Sequence, residues 1–315
     1  MASFDVVNYS LRPSKGIQRH LVFEAVRDVR ERLAMRDLAY VGFGSVWFTD
    51  FVLAHKFLGI RDMVSMERDP IGICRARFNT PYATLRVEPT SSNEALPKLR
   101  TDAVVGGRPW MVWLDYDGGY SDEISEDIRY LMENLSFGSV FLATFSGHEM
   151  EYGRKAAERP ELLRSLFGSV VPDELSAGAC KKERMPQTLA RLAMDYIMSA
   201  SVGASRSGTF VPAFSMIYRD ASPMVTVGGF VLGDDIAHKA SDIVGNGVWR
   251  CMPEKLIQAP HLTAKEAASL QSLLPRTEPL TRHDVVKLGF DLEIDQIKTF
   301  ESYYRQYPAF AQIFA

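Results

Sequence analysis

Cysteine is scarce in this chain, and Cys74, Cys180 and Cys251 lie far apart with no CxxC pair among them. That spacing supports neither a disulfide framework nor a structural zinc site, so ordinary reduced thiols are expected. Histidine is as sparse: His20, His55, His148, His238, His261 and His283 form no HxH, HxxxH or HExxH arrangement, which removes the helical metal site such spacing would build. No run approaches the ~18–20 uncharged apolar residues of a membrane span, and MASFDVVNYSLRPSKG lacks the apolar stretch of a signal peptide. A cytoplasmic protein with no membrane partner is the expectation. Nor does charge of one sign prevail: 36 Lys and Arg stand against 39 Asp and Glu, a net charge of −3 that supplies no global attraction to nucleic acid or anionic lipid.

What is present is an ordinary globular composition. With 46% hydrophobic and 24% charged residues over 315 positions, the chain is neither disordered nor a coiled coil, and it is long enough for one large domain or two small ones. Ile17, Leu21, Ala25, Val29 and Leu33 recur every four residues, which predicts an amphipathic helix after a short basic lead of Arg12, Lys15 and Arg19. LAYVGFG (38–44) then reads as a strand ending in glycines, and SVWFTDFVLAHKFLG as a buried helix closed by Gly59. DMVSMERD (62–69) is a second strand with Glu67 near its carboxyl end, and PIGICRARFN the helix after it.

The alternation continues. TLRVEP (84–89) is a third strand, SSNEALPKL a short helix with a serine cap, PWMVWLDYD (109–117) an apolar fourth strand ending in acids, and SDEISEDIRYLMENL a helix whose acidic start suits its dipole. GSVFLATFS (138–146) is the fifth strand. Residues 147–185 break the pattern and read as an insertion with one helix around PELLRSLFG. PQTLARLAMDYIM places Leu189, Leu192, Ala193, Tyr196 and Ile197 on one helical face, and FVPAFSMIYRD and MVTVGGFVL around Ala221-Ser222-Pro223 have hairpin spacing. Strands alternating with helices predict an α/β layered fold: a mostly parallel sheet that ends in an antiparallel hairpin. The boundaries are an N-terminal basic lead and helix at 1–35, an α/β domain at 36–233, and a mainly helical C-terminal extension at 234–315.

Three constellations could carry chemistry. Gly42-Phe43-Gly44 ends the first strand, where glycine permits a tight turn and close approach of a ligand to the main chain. Glu67 lies 23 positions past Gly44, near the spacing of roughly 20 at which a strand-two acid meets a ribose; pairing with Arg68 or Arg75 is the bland alternative. Asp115-Tyr116-Asp117-Gly118-Gly119-Tyr120 follows a central strand, at the edge where open α/β sheets bind ligands, and a carboxylate there could act as a general base; alternatively Asp117 and Ser121 cap the next helix. Weaker signals are His148 after strand five, a possible divalent ion at Asp115, Asp117 and Asp122, and a phosphate-contacting patch of Arg12, Lys15 and Arg19 beside Tyr9. In the tail, Phe300, Tyr303, Tyr304, Tyr307 and Phe310 suit a helix packed on the main domain or a homo-oligomer contact better than base stacking.

The order of these features over about residues 36–233 resembles the class I S-adenosylmethionine-dependent methyltransferases. The resemblance implies a Rossmann-like three-layer sandwich with seven strands, S-adenosyl-L-methionine as cofactor, and methyl transfer to an oxygen or nitrogen nucleophile of a small molecule or nucleic acid. It assigns the cofactor's methionine and ribose to Gly42, Phe43 and Gly44, its ribose hydroxyls to Glu67, and the surroundings of the transferred methyl to Asp115 and its neighbours, with Asp115 or Asp117 accepting a proton. This chain departs from the family pattern at Tyr40, where an acid is usual, and at Val46, where a third glycine is usual. DYDGGY also lacks the Asp/Asn-Pro-Pro-aromatic sequence of the DNA amino-group enzymes, and no Pro-Cys pair suits a C5-cytosine enzyme. Readings of other classes are a nicotinamide dehydrogenase, a non-catalytic cofactor-binding scaffold, and a component of a nucleic-acid-modifying assembly.

Overall fold

The computed structural model describes residues 12–204, 208–252 and 256–308; Tyr9 and Phe310 lie outside them. Pro13, at the first helical position where a missing N–H is harmless, opens α1 (Pro13–Arg32), and β1 (Ala39–Gly42) follows. The next helix begins later than its apolar residues suggest. Ser45 and Phe48 both adopt left-handed backbone (φ 51° and 48°), so residues 45–48 form a turn and α2 is confined to Thr49–Leu58, ending at Gly59 (φ 63°). β2 (Met63–Met66) stops one residue before Glu67, and Asp69 caps α3 (Pro70–Phe78) by accepting the Gly72 N–H at 2.7 Å.

β3 (Leu85–Glu88), α4 (Ser92–Arg100), β4 (Trp110–Gly119), α5 (Asp122–Asn134) and β5 (Ser139–Ser146) complete the alternating part. In 147–185 lie a short 3₁₀ turn (Glu149–Tyr152), then α6 (Arg159–Phe167). This segment is packed into the core, because the Tyr152 phenol donates to the Ser146 carbonyl (3.0 Å) and accepts from the Tyr120 N–H (2.7 Å), tying the ends of β4 and β5 together. α7 (Met185–Gly203) leads into β6 (Thr209–Arg219) and β7 (Pro223–Leu232).

The sheet has seven strands in the order β3-β2-β1-β4-β5-β7-β6. β7 runs antiparallel to both β5 and β6, so the hairpin closes the sheet as expected, with its second strand inserted between β5 and β6. α4, α5, α6 and α7 cover one face of the sheet with the core of Val41, Val112, Leu114, Ile128 and Leu189. α1, α2 and α8 (Asp234–Gly245) cover the other, around Phe23, Tyr40, Phe51, Trp113 and Phe214. Burial on both faces explains why the strands read as near-continuous apolar runs.

α9 (Ala264–Gln271), α10 (Arg282–Lys287) and α11 (Ile294–Tyr303) surround a small core of their own built from Leu270, Leu280, Val285, Ile297 and Phe300. The tail aromatics are engaged inside the chain. Phe300 is buried, Arg250 lies over the Tyr303 ring, and the Tyr307 phenol donates to the Pro260 carbonyl at 2.8 Å. Among the described residues no helix is long and apolar enough to cross a membrane.

Candidate functional site

The carboxyl ends of β1, β2 and β4 open onto a cleft of about 320 Å³. Phe43, Gly44, Glu67, Asp115 and Asp117 all line it, so the three constellations singled out in the sequence converge on one rim. Gly42 does not line it. A Cβ at Gly42 would stand 2.6 Å from the Trp113 carbonyl of β4, so strand packing by itself requires a glycine here. Gly44 is needed for a similar reason: its Cβ would meet the Phe48 ring at 2.4 Å and Ser65 Oγ at 2.7 Å, while its N–H donates to Ser65 Oγ at 2.9 Å. Gly44→Ala is therefore expected to cost about 1–3 kcal/mol through overpacking, checked by chemical denaturation; an unchanged midpoint would show that the loop relaxes freely.

Glu67 is half-buried on the cleft wall, and its Oε1 accepts the Asp69 N–H at 2.9 Å. Burial raises its pKa, two backbone N–H bonds oppose the rise, and Asp69 and Asp117 add to it. Arg68 reaches out to Glu123 instead, at 3.6 Å on the surface. β4 departs from regular pairing between Asp115 and Gly119, so Asp117 and Gly118 emerge exposed, and nothing lies within 4 Å of where a Gly118 Cβ would be.

The basic lead is the largest correction to the sequence reading. Lys15 and Arg19 are buried rather than arranged as a surface patch for phosphate. The Lys15 ammonium is paired with the Asp115 carboxylate, their side chains 3% and 13% exposed. Arg19 pairs with Asp50 of α2 at 2.5 Å, and both line the cleft. Burial alone would lower the guanidinium's pKa, but Asp50 and Asp115 more than offset that and raise it. The start of α1 is anchored so that both cations are held in place. The Ser14 and Lys15 N–H groups donate to the Asp220 carboxylate (2.9 and 3.1 Å), and Ser14 Oγ donates to the Arg219 carbonyl. A signal was available in the sequence, since Lys15, Gln18, Arg19 and Val22 fall on one helical face at i, i+3, i+4 and i+7.

Tyr40, where the family pattern has an acid, is sealed in the core against Phe51, with ring centroids 4.7 Å apart. Burial and then Asp50 raise its phenol far above the usual range. Asp50 supplies a carboxylate to the same region from α2, a residue that sequence reasoning missed, as it missed Asp127. His148 is a turn cap, its Nδ1 accepting the Met150 N–H at 3.2 Å, and is not among the residues lining the cleft. Asp115, Asp117 and Asp122 do not form a metal-binding set; among the described residues no such group of three is present. Ser121 precedes α5 as expected, although its side chain makes no capping bond.

A family model described as "Putative O-methyltransferase" matches residues 7–315. The chain belongs to that family. None of the curated proteins compared with the chain matches it. Among solved structures it is similar to a complex of Trm1 from Pyrococcus horikoshii with S-adenosyl-L-methionine, at 8% identity and TM-score 0.48 over 72% of this chain and 58% of that one. It is also similar to an O-methyltransferase from Bacillus cereus in complex with SAH (13%, 0.40, 72% and 84%) and to an rRNA methylase from Streptococcus thermophilus (10%, 0.36, 68% and 95%). The assignment to this methyltransferase family stands on the match to residues 7–315, and the order of the sheet agrees with the architecture that the sequence resemblance implied.

Proposed function

We propose that the cleft binds S-adenosylmethionine and that the protein transfers its methyl group to an oxygen nucleophile of an uncharged or cationic acceptor. One observation carries the reading: Phe43 and Gly44, Glu67, and Asp115 to Asp117 line a single cleft. The donor set fits the cofactor. Five carboxylates (Asp50, Glu67, Asp115, Asp117 and Glu123) line the cleft against two guanidiniums (Arg19 and Arg68), an excess that attracts a sulfonium and repels a pyrophosphate or a nucleic-acid backbone. Ser45 Oγ, in the loop after β1, is buried without a hydrogen-bond partner among the described residues, a polar atom available to a ligand.

In this reading Glu67 accepts hydrogen bonds from the two ribose hydroxyls. The Arg19–Asp50 pair faces the zwitterionic end of the methionine, cation toward carboxylate and carboxylate toward ammonium. Asp115, neutralised by Lys15, orients ligand, and Asp117 is the carboxylate we assign to accepting the acceptor's proton. S-adenosylmethionine supplies the activated methyl, and the protein's contribution is alignment of the acceptor with it. The free cysteines are the ground for proposing a cytoplasmic location.

Isothermal titration with S-adenosylmethionine, S-adenosylhomocysteine and NAD tests the assignment. The first two should bind and NAD should not. Heat of binding from NAD alone would end the methyltransferase reading, whereas cofactor binding without methyl transfer to any hydroxyl acceptor would favour the scaffold.

A further inference from the structure

Beneath the cleft, on the face of the sheet opposite α1, lies a buried acid that the proposed reaction leaves unused. Asp127 of α5 is 1% exposed. Its Oδ2 accepts the Tyr116 phenol hydrogen at 2.5 Å, and Ser92 of α4 also favours its ionised form. Tyr116 lines the cleft, and its ring meets the Phe43 ring edge-on with centroids 5.2 Å apart. A continuous series of contacts thus runs from a solvent-shielded carboxylate, through a cleft-lining phenol, to the loop after β1.

We propose that Asp127 is a positioning residue for cofactor binding: its ionised carboxylate fixes the Tyr116 phenol, and with it the Tyr116–Phe43 wall of the cleft, so that protonation of this carboxyl loosens the site. The inference rests on the reading that the cleft holds S-adenosylmethionine. The groups acting on Asp127 are Ser92 of α4, Tyr116 of β4, and Glu123 and Glu126 of its own helix. Glu126 is also bonded by Asn93 Nδ2 at 3.2 Å, and Glu123 by Arg68 at the surface. Burial first, and the two glutamates after it, push the carboxyl up to about 6 against the opposing pull of Ser92 and Tyr116. A charge-assisted bond is about twice as strong as a neutral one, so the phenol is held firmly above that pH and loosely below it.

The test is calorimetric titration of S-adenosylhomocysteine between about pH 5 and pH 8 into the wild type, Asp127→Asn and Tyr116→Phe. If only the ionised form is competent, about a tenth of the protein is competent one pH unit below the midpoint, and wild-type affinity should fall about tenfold there. Glu67 also lines the cleft, and its protonation weakens binding in all three proteins, so the readout is the difference between the curves. Asp127→Asn, neutral at every pH, should bind at least tenfold more weakly than wild type at neutral pH and lose this component of the pH dependence. Tyr116→Phe should lose the same component, and it serves if the asparagine variant does not fold. Variants that keep the wild-type neutral affinity and pH slope would overturn the role of Asp127. Folded wild type, verified by circular dichroism, that binds no S-adenosylhomocysteine at any pH would sink the cofactor reading itself and this inference with it.

Discussion

Replacing Lys15 by methionine is expected to destabilise the folded protein by about 3–5 kcal/mol, because the substitution leaves the largely buried Asp115 carboxylate without its ammonium partner. The stem of lysine is apolar and methionine is of similar length, so little packing is lost and the cost is that of a carboxylate deprived of its ammonium partner, offset in part by the nearby Arg19 guanidinium. The second step of a mutant cycle separates the causes: Lys15→Met combined with Asp115→Asn removes both charges and should recover most of the loss. Urea denaturation of the four proteins measures it. A double variant as unstable as Lys15→Met alone would place the cost in the packing of α1. Because Asp115 also lines the cleft, Lys15→Met is further expected to disturb cofactor binding, although Lys15 is not itself among the lining residues.

Glu67→Ala is the second substitution with a large expected effect. Loss of hydrogen bonds from two ribose hydroxyls to a carboxylate costs about 1–3 kcal/mol, or roughly five- to 150-fold in affinity for S-adenosylmethionine. Stability should change little or improve, since the half-buried carboxylate is partly desolvated in the free protein and its pKa is raised. The sign follows from that rise: the folded protein holds this proton more tightly than the unfolded chain, so ionised Glu67 costs stability above its folded pKa, and the cost disappears as the pH falls below the unfolded value. Cofactor affinity moves the other way, weakening as the pH falls through the folded pKa. Calorimetry of Glu67→Ala with unchanged affinity would remove Glu67 from the site.

Much of the fold is legible in the chain because local periodicity records which face of each element is buried. The α5 positions Ile124, Ile128 and Leu131, the α7 face from Leu189 to Ile197, and the apolar β4 run all became core in the structure. Of the boundaries, the end of α2 at Gly59 is legible from a local device, whereas α1 starts at Pro13 and takes in the Lys15 and Arg19 that read as a lead ahead of it. α2 starts four residues later than the apolar pattern predicts, since nothing in that pattern announces that Ser45 and Phe48 take left-handed backbone.

The sequence by itself determined the alternation of strands and helices, the glycine loop, Glu67 past the second strand and the acids past the fourth, since each depends on neighbours within a few turns of chain. Tertiary structure alone decided that Lys15 meets Asp115 across 100 residues, that Asp220 holds the start of α1 from 205 residues away, and that Tyr116 reaches Asp127 under the cleft. The helical face could show that Lys15 and Arg19 are buried but not what they meet, because the partner of a long-range ion pair looks like a solvated charge until the docking of one element on another excludes water from both.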